Sequence, residues 1–176
     1  MNKIKLIVLL ALLAAASAAH AHGGPRKKVT ESIDINAPVE TIWNIVKNFA
    51  DGSWLSQVAS TTATNGNAEG AVRELHFNKG GVFKQELKGV NEAAKTLKFR
   101  HHEEPDCAVF PTNNYSAVIS VTPIGSGAHV EWLSAAYRCF TPNNPPPGQD
   151  EAAAVEAMTT FSKESLANLK KLAEGR

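Results

Sequence analysis

Residues 72–102 read VRELHFNKGGVFKQELKGVNEAAKTLKFRHH. Three alternating runs are set in this stretch, with turn residues between them. In the first, Arg73, Leu75 and Phe77 fall on one face. Asn78-Lys79-Gly80-Gly81 then reads as a turn. In the second run, Phe83, Gln85 and Leu87 share one face, and Lys84, Glu86 and Lys88 share the other. In the third, Leu97, Phe99 and His101 oppose Lys98, Arg100 and His102. Successive side chains of a strand point to opposite faces, so the meander has one mostly apolar face and one charged face. This predicts an antiparallel sheet whose charged side is wet.

Working toward the C-terminus, residues 115–122 and 129–137 form a last strand pair around the loop Pro123-Ile124-Gly125-Ser126-Gly127. If positions 123 and 128 face each other, Cys139 lies opposite Thr112, and Cys107 is within reach on a bending loop. TPNNPPPG, residues 141–148, is a semi-rigid connector rather than a strand. Asp150 then caps a long helix through Ala173, with Val155, Met158, Phe161, Ser165, Leu166, Leu169 and Leu172 at helical spacing.

Working toward the N-terminus, KVTESIDIN at residues 28–36 alternates, with Val29, Ile33 and Ile35 on one face. Asn36-Ala37-Pro38 starts a helix, with Asn36 as candidate cap and Ile42, Trp43, Val46 and Phe49 as its apolar stripe. Asp51-Gly52 breaks it. Residues 53–58 are expected to form a second short helix, and residues 59–64 one more strand. The order is strand, two short helices, six strands, long helix. An antiparallel sheet with its helices gathered on one face is an α+β layout.

The chain has 176 residues and a formal charge of +1, from 18 basic and 17 acidic side chains. Nucleic-acid binders normally carry a basic surplus, so that class is disfavoured. Two cysteines cannot build a dense disulfide scaffold or a four-thiolate zinc site. No repeat or second composition regime appears, which predicts a single domain over residues 28–174.

The first 21 residues read as an address. Lys3 and Lys5 precede a run without charge from Leu6 to Ala19, and Ala19-His20-Ala21 supplies small residues for cleavage before His22. About 20 apolar residues are needed to span a bilayer, so this run is short for an anchor. The expectation is a bacterial-type signal peptide at 1–21, a flexible mature start at 22–27, delivery to the periplasm and no stable membrane insertion. Losing the two lysines takes the formal charge from +1 to −1. In an oxidising compartment Cys107 and Cys139 are expected to pair, closing a loop worth roughly 3–4 kcal/mol. Two unpaired thiols are the alternative.

The element order resembles the helix-grip fold of the SRPBCC superfamily (START/Bet v1-like, polyketide cyclase/dehydrase-type). IDINAPVETIWNIVKNF followed by Trp54, GAVRELHF, VFKQELKGVN, NYSAVISVTP and VEWLSAAY carry the resemblance over residues 28–173. It implies a curved seven-stranded sheet gripping the last helix around a cavity. The signal segment, HGGPRKKVTESI, VEWLSAAYR and NNPPPGQDEAAAVEAM are similar to the MxaD type. That type implies a periplasmic accessory protein that assists methanol dehydrogenase, and its electron transfer to a partner cytochrome c. The chain departs from the type at Trp54-Leu55-Ser56, where His-Pro is expected after the tryptophan, and around residues 106–110, where Cys107 is unexpected.

On such a sheet the inner face holds Arg73, Leu75, Phe77, Phe83, Gln85, Leu87, Leu97, Phe99, His101, Tyr115, Ala117, Ile119, Trp132, Ser134 and Ala136, closed over by Met158 and Phe161. A mostly apolar interior with a few converging polar groups is a ligand-site pattern. Arg73 is placed to bind a carboxylate or enolate oxygen, or else to make structural hydrogen bonds at the rim. His101 and Tyr115 form a candidate acid–base pair on a carbonyl, or simply structural groups. His101 and His102 point to opposite faces, so they do not share a metal ion. His22-Gly23-Gly24 as a copper chelator is weaker than a plain cut terminus. No metal site or cofactor is expected.

No nucleophile elbow, phosphate loop or HExxH motif occurs. The reading is a non-catalytic accessory protein working through contacts, with Lys84, Lys88, Lys98 and Arg100 on the outer face available to steer an acidic partner. A carrier or sensor of a small hydrophobic ligand is the alternative, and a cyclase/dehydratase-like enzyme the second.

Overall fold

The computed structural model describes residues 24–103 and 106–175. The expected signal peptide and the His22-Gly23 start lie outside the described residues. Seven strands form one antiparallel sheet: β1 (Lys27–Ile35), β2 (Val58–Thr64), β3 (Val72–Phe77), β4 (Val82–Asn91), β5 (Thr96–His101), β6 (Thr112–Ile124) and β7 (Gly127–Arg138). Their spatial order is β1-β7-β6-β5-β4-β3-β2. A short helix α1 (Val39–Val46) follows β1, and the long helix α2 (Glu151–Ala173) ends the fold. The curved sheet and its C-terminal helix make the helix-grip architecture. No helix of the described residues is long and apolar enough to cross a membrane.

The first strand starts earlier than expected. Lys27 is already in β1, and the Arg26 guanidinium donates to Asn114 O, Ser116 Oγ and Ala135 O.

The expected second helix does not form. Residues 53–57 make two successive turns, with Leu55 N–H donating to Gly52 O and Val58 N–H to Leu55 O. Asp51 Oδ1 takes the Ser53 N–H, a local bond that competes with helix nucleation. Trp54 and Leu55 are adjacent and both buried, which one face of a short surface helix does not readily provide. Asn36 is not the cap of α1 either. Pro38 occupies that position without a side-chain bond, and the Asn36 N–H donates instead to Glu174 Oε1.

The long helix begins where its cap is written. Asp150 Oδ1 accepts the Ala153 N–H at 2.8 Å, with Glu151 in the first turn and Lys170 and Lys171 in the last, all favourable to the helix dipole. Ala154, Met158, Phe161, Ser162, Ser165, Leu166 and Leu169 are buried against the sheet. Leu172 is 49% exposed, because it lies in the final turn, where the apolar stripe gives way to solvent.

Pro123 faces Ala128 across the last hairpin, and the pairing runs in step down to Ser116 opposite Ala135. It then slips by one residue around Asn114, which adopts a left-handed φ of 49°, so that Thr112 faces Arg138 rather than Cys139. A second irregularity lies between Leu87 and Gly89 on β4. Cys107 and Cys139 are joined by a disulfide with their Cα atoms 5.7 Å apart. The bridge ties the segment before β6 to the one after β7.

Candidate functional site

Alternation on β3 to β7 aims one set of side chains at α2. Leu75, Phe83, Leu87, Leu97, Phe99, Tyr115, Ala117, Ile119, Trp132, Ser134 and Ala136 are buried there, with Met158 and Phe161 supplied by the helix. Phe77 is half-buried and joins them through ring contacts with Phe83 and Phe161. The interior is strongly aromatic. Trp132 packs edge-on against Phe161 at 5.6 Å and tilted against Trp54 at 5.6 Å between ring centres. Phe110, from the loop before β6, stacks on Phe83 at 4.7 Å and meets Phe161 at 5.7 Å. Such pairs add specific geometry to the area they bury.

Polar groups run through this apolar volume in one row. Arg73 on β3 faces Gln85 on β4, and Gln85 faces His101 on β5. Tyr115 on β6 continues the row, its ring 5.5 Å from that of His101.

Arg73 is 1% exposed and well satisfied. Its Nε and Nη2 both donate to Gln85 Oε1, at 2.8 and 2.6 Å, and Nη1 donates to Phe49 O at 3.1 Å. The guanidinium also lies 4.2 Å from the centre of the Phe49 ring and 5.2 Å from that of Phe99. Burial lowers its pKa to about 9, which leaves it cationic at neutral pH.

Tyr115 is buried, and loss of solvent pushes its phenol well above the usual range, so it stays protonated. Its hydroxyl accepts the Trp132 Nε1–H at 3.3 Å. His101 stands edge-on to Phe83, with ring centres 4.4 Å apart. Burial drops its pKa to about 3, so the imidazole is neutral. Both of its ring nitrogens are buried without a hydrogen-bond partner, as are Gln85 Nε2, Thr112 Oγ1, Trp54 Nε1 and Ser165 Oγ. Buried polar atoms are rarely left unpaired, so this concentration marks the interior as polar beyond its structural needs.

The arrangement offers a neutral imidazole, a protonated phenol and one buried guanidinium held by uncharged acceptors. Tyr115 and His101 share a row, but the phenol oxygen is engaged by Trp132. Among the described residues, no three of His, Cys, Asp and Glu come together in a way that could hold a metal ion. His102 points outward and is exposed.

Residue pattern alone did not mark Phe110 or Thr112 as interior groups. Phe110 lies in a loop, where alternation gives no face. Thr112 precedes the β6 bulge and is out of phase with the rest of its strand. Ser165 does sit on the apolar stripe of the long helix, and a serine among Met158, Phe161 and Leu169 was a readable signal.

The whole domain matches the family model described as polyketide cyclase / dehydrase and lipid transport, over residues 26–174. The chain belongs to that family. Solved structures with the same fold include a protein from Nitrosospira multiformis, 25% identical with a TM-score of 0.65, covering 84% of this chain and 96% of its own. The Zhui aromatase/cyclase from Streptomyces sp. R1128 is 12% identical with a TM-score of 0.67, covering 86% of this chain and 96% of its own. Norcoclaurine synthase from Thalictrum flavum, in complex with dopamine and hydroxybenzaldehyde, is 13% identical with a TM-score of 0.66, covering 86% of this chain and 88% of its own. No curated protein matches the sequence.

Proposed function

We propose that this chain is a non-catalytic accessory protein of methanol oxidation, exported to the periplasm, acting by contact with methanol dehydrogenase or with the cytochrome c that accepts its electrons. The observation that carries the non-catalytic part is the state of Arg73. Each of its three nitrogens donates to Gln85 or Phe49, and two phenyl rings pack close to its guanidinium. It serves as an internal strut rather than as a free cation facing a substrate. Tyr115 accepts the Trp132 Nε1–H, which helps to fix the phenol in place beside His101. The partner and the compartment are supported by the MxaD-type sequence segments and the signal-like N-terminus.

The test is a reconstitution. The mature chain is titrated into purified methanol dehydrogenase and its cytochrome c, and cytochrome reduction is followed optically. A saturable rise in rate, with direct association seen by biolayer interferometry, is the expected result. No association with either protein refutes the reading. Arg73→Ala should leave that association intact.

A second reading is favoured by a specific observation, the unpartnered polar atoms of His101, Gln85 and Thr112 inside an aromatic shell. A small aromatic ligand with a hydrogen-bonding group would satisfy them. Quenching of tryptophan fluorescence by aromatic carbonyl compounds, abolished by Arg73→Ala, would select this role as a carrier or sensor.

A further inference from the structure

The convex face of the sheet carries a second constellation, separate from the interior. Two rows cross its centre. One runs Thr30, Leu133, Val118, Lys98, and the next Lys28, Ala135, Ser116, Arg100. Leu133, midway along β7, is 38% exposed and Tyr137, near its end, 37%. A shallow depression of about 160 Å³ lies between Arg26, Lys28, Val118 and Leu133. It is about the size of one side chain.

The charges around this depression are not balanced. Lys84 is neutralised by Glu74 and Glu103. Glu86 serves both Lys88 and Arg100, so one carboxylate answers two cations. Lys28 and Lys98 have no ion-pair or hydrogen-bond partner among the described residues. Arg26 is held flat by three acceptors, with its guanidinium 6.0 Å from the centre of the Tyr137 ring. On a chain whose formal charge is only +1, this is a local positive field around an apolar centre.

We infer that this outer face, centred on Leu133 and rimmed by Lys28, Lys98, Arg26 and Arg100, is a docking surface for an acidic protein. Charge complementarity selects the sign of the partner, and the depression admits one apolar or carboxylate-bearing side chain from it. A protein fits better than a bilayer. The face is a smooth sheet surface with no protruding wedge of bulky apolar groups and no basic amphipathic helix, while arginine and tyrosine at a partly apolar centre match protein interfaces. The inference deepens the accessory role proposed above and rests on it.

The test measures binding of the full mature chain to purified methanol dehydrogenase and to its cytochrome c, at about 20 mM and about 200 mM salt, a range over which exposed charges become largely screened. Three forms are compared: the native chain, Lys28→Glu/Lys98→Glu, and the control Lys79→Glu/Lys163→Glu on other surfaces. All four charge-reversed positions are exposed, and thermal melts confirm that each variant is folded. The expected result is a loss of about tenfold or more in affinity for the outer-face variant at low salt, mainly in the association rate, with the control within about twofold. Leu133→Ser should weaken binding through faster dissociation. Equal effects of the two charge variants, or binding indifferent to salt, overturn this surface while leaving the contact role standing. No binding of the native chain to either protein overturns both. Native binding to phosphatidylglycerol-rich vesicles that is lost in Lys28→Glu/Lys98→Glu, without protein binding, replaces the protein partner with a membrane and overturns the inference.

Discussion

The Arg73–Gln85 pair can be tested by a double-mutant cycle. Arg73→Met keeps the approximate volume and removes the cation. It strands two buried acceptors, Gln85 Oε1 and Phe49 O, at about 1–3 kcal/mol each. Against that, an ion buried to 1% exposure no longer has to be desolvated. The net expectation is a loss of about 2–4 kcal/mol. Gln85→Met leaves a buried guanidinium short of two hydrogen bonds, and removing one partner of a buried charge costs about 3–5 kcal/mol. The double variant removes the cation, its acceptor and the unpartnered Gln85 Nε2 together, leaving only Phe49 O stranded. It should therefore be more stable than either single variant, with a coupling energy of at least about 1–2 kcal/mol. Urea unfolding followed by tryptophan fluorescence measures all four forms, with unchanged slopes confirming that the comparison is fair. Additive losses, or an Arg73→Met form as stable as the native chain, would refute the strut reading and return Arg73 to the candidates for ligand binding.

Acid should expose His101. Its folded pKa of about 3 lies below the ordinary value of 6.5, so as pH falls the unfolded chain takes up the proton first. Stability should hold above about pH 6.5 and then drop by a few kcal/mol toward pH 3, and His101→Phe should flatten that part of the curve; an unaltered curve in the variant counts against a buried neutral imidazole. Breaking the Cys107–Cys139 bridge, which spans 32 residues, should cost about 3–4 kcal/mol. At roughly 2–4 °C per kcal/mol for a domain of this size, dithiothreitol should lower the melting temperature by about 6–15 °C, and an unshifted melt would remove the bridge from the stability argument. Asp150→Ala, which deletes the acceptor of the Ala153 N–H, should cost about 1 kcal/mol in urea, whereas Asp150→Asn should restore most of it.

The strands were legible because alternation is a direct record of two faces. The runs around Leu75, Gln85 and Phe99 show which side chains turn inward before any neighbour is known, and the chain indeed buries them. The hairpin contact of Pro123 with Ala128 could be inferred because turn length fixes register locally. The same inference failed at Thr112, since an asparagine tolerates the left-handed conformation that Asn114 adopts but is common enough elsewhere not to announce a bulge. The turn at residues 53–57 was misread for a related reason. Two buried neighbours, Trp54 and Leu55, satisfy tertiary packing rather than any local period. For the interior polar groups, sequence told which residues enter but not whether they are paired. Arg73 and His101 look alike as polar residues on an inner face, yet every nitrogen of one finds an acceptor and the ring nitrogens of the other have no partner.

The Cys107–Cys139 linkage has a consequence for access. It staples the stretch that carries Phe110 to the chain just ahead of the closing helix, where Arg138 also grips Glu151. The aromatic stopper and the root of the lid are thereby leashed to each other, and neither can swing away alone. Further along the helix, Asn168 Nδ2 donates to the Trp54 carbonyl and ties the turn after the first helix to the same element.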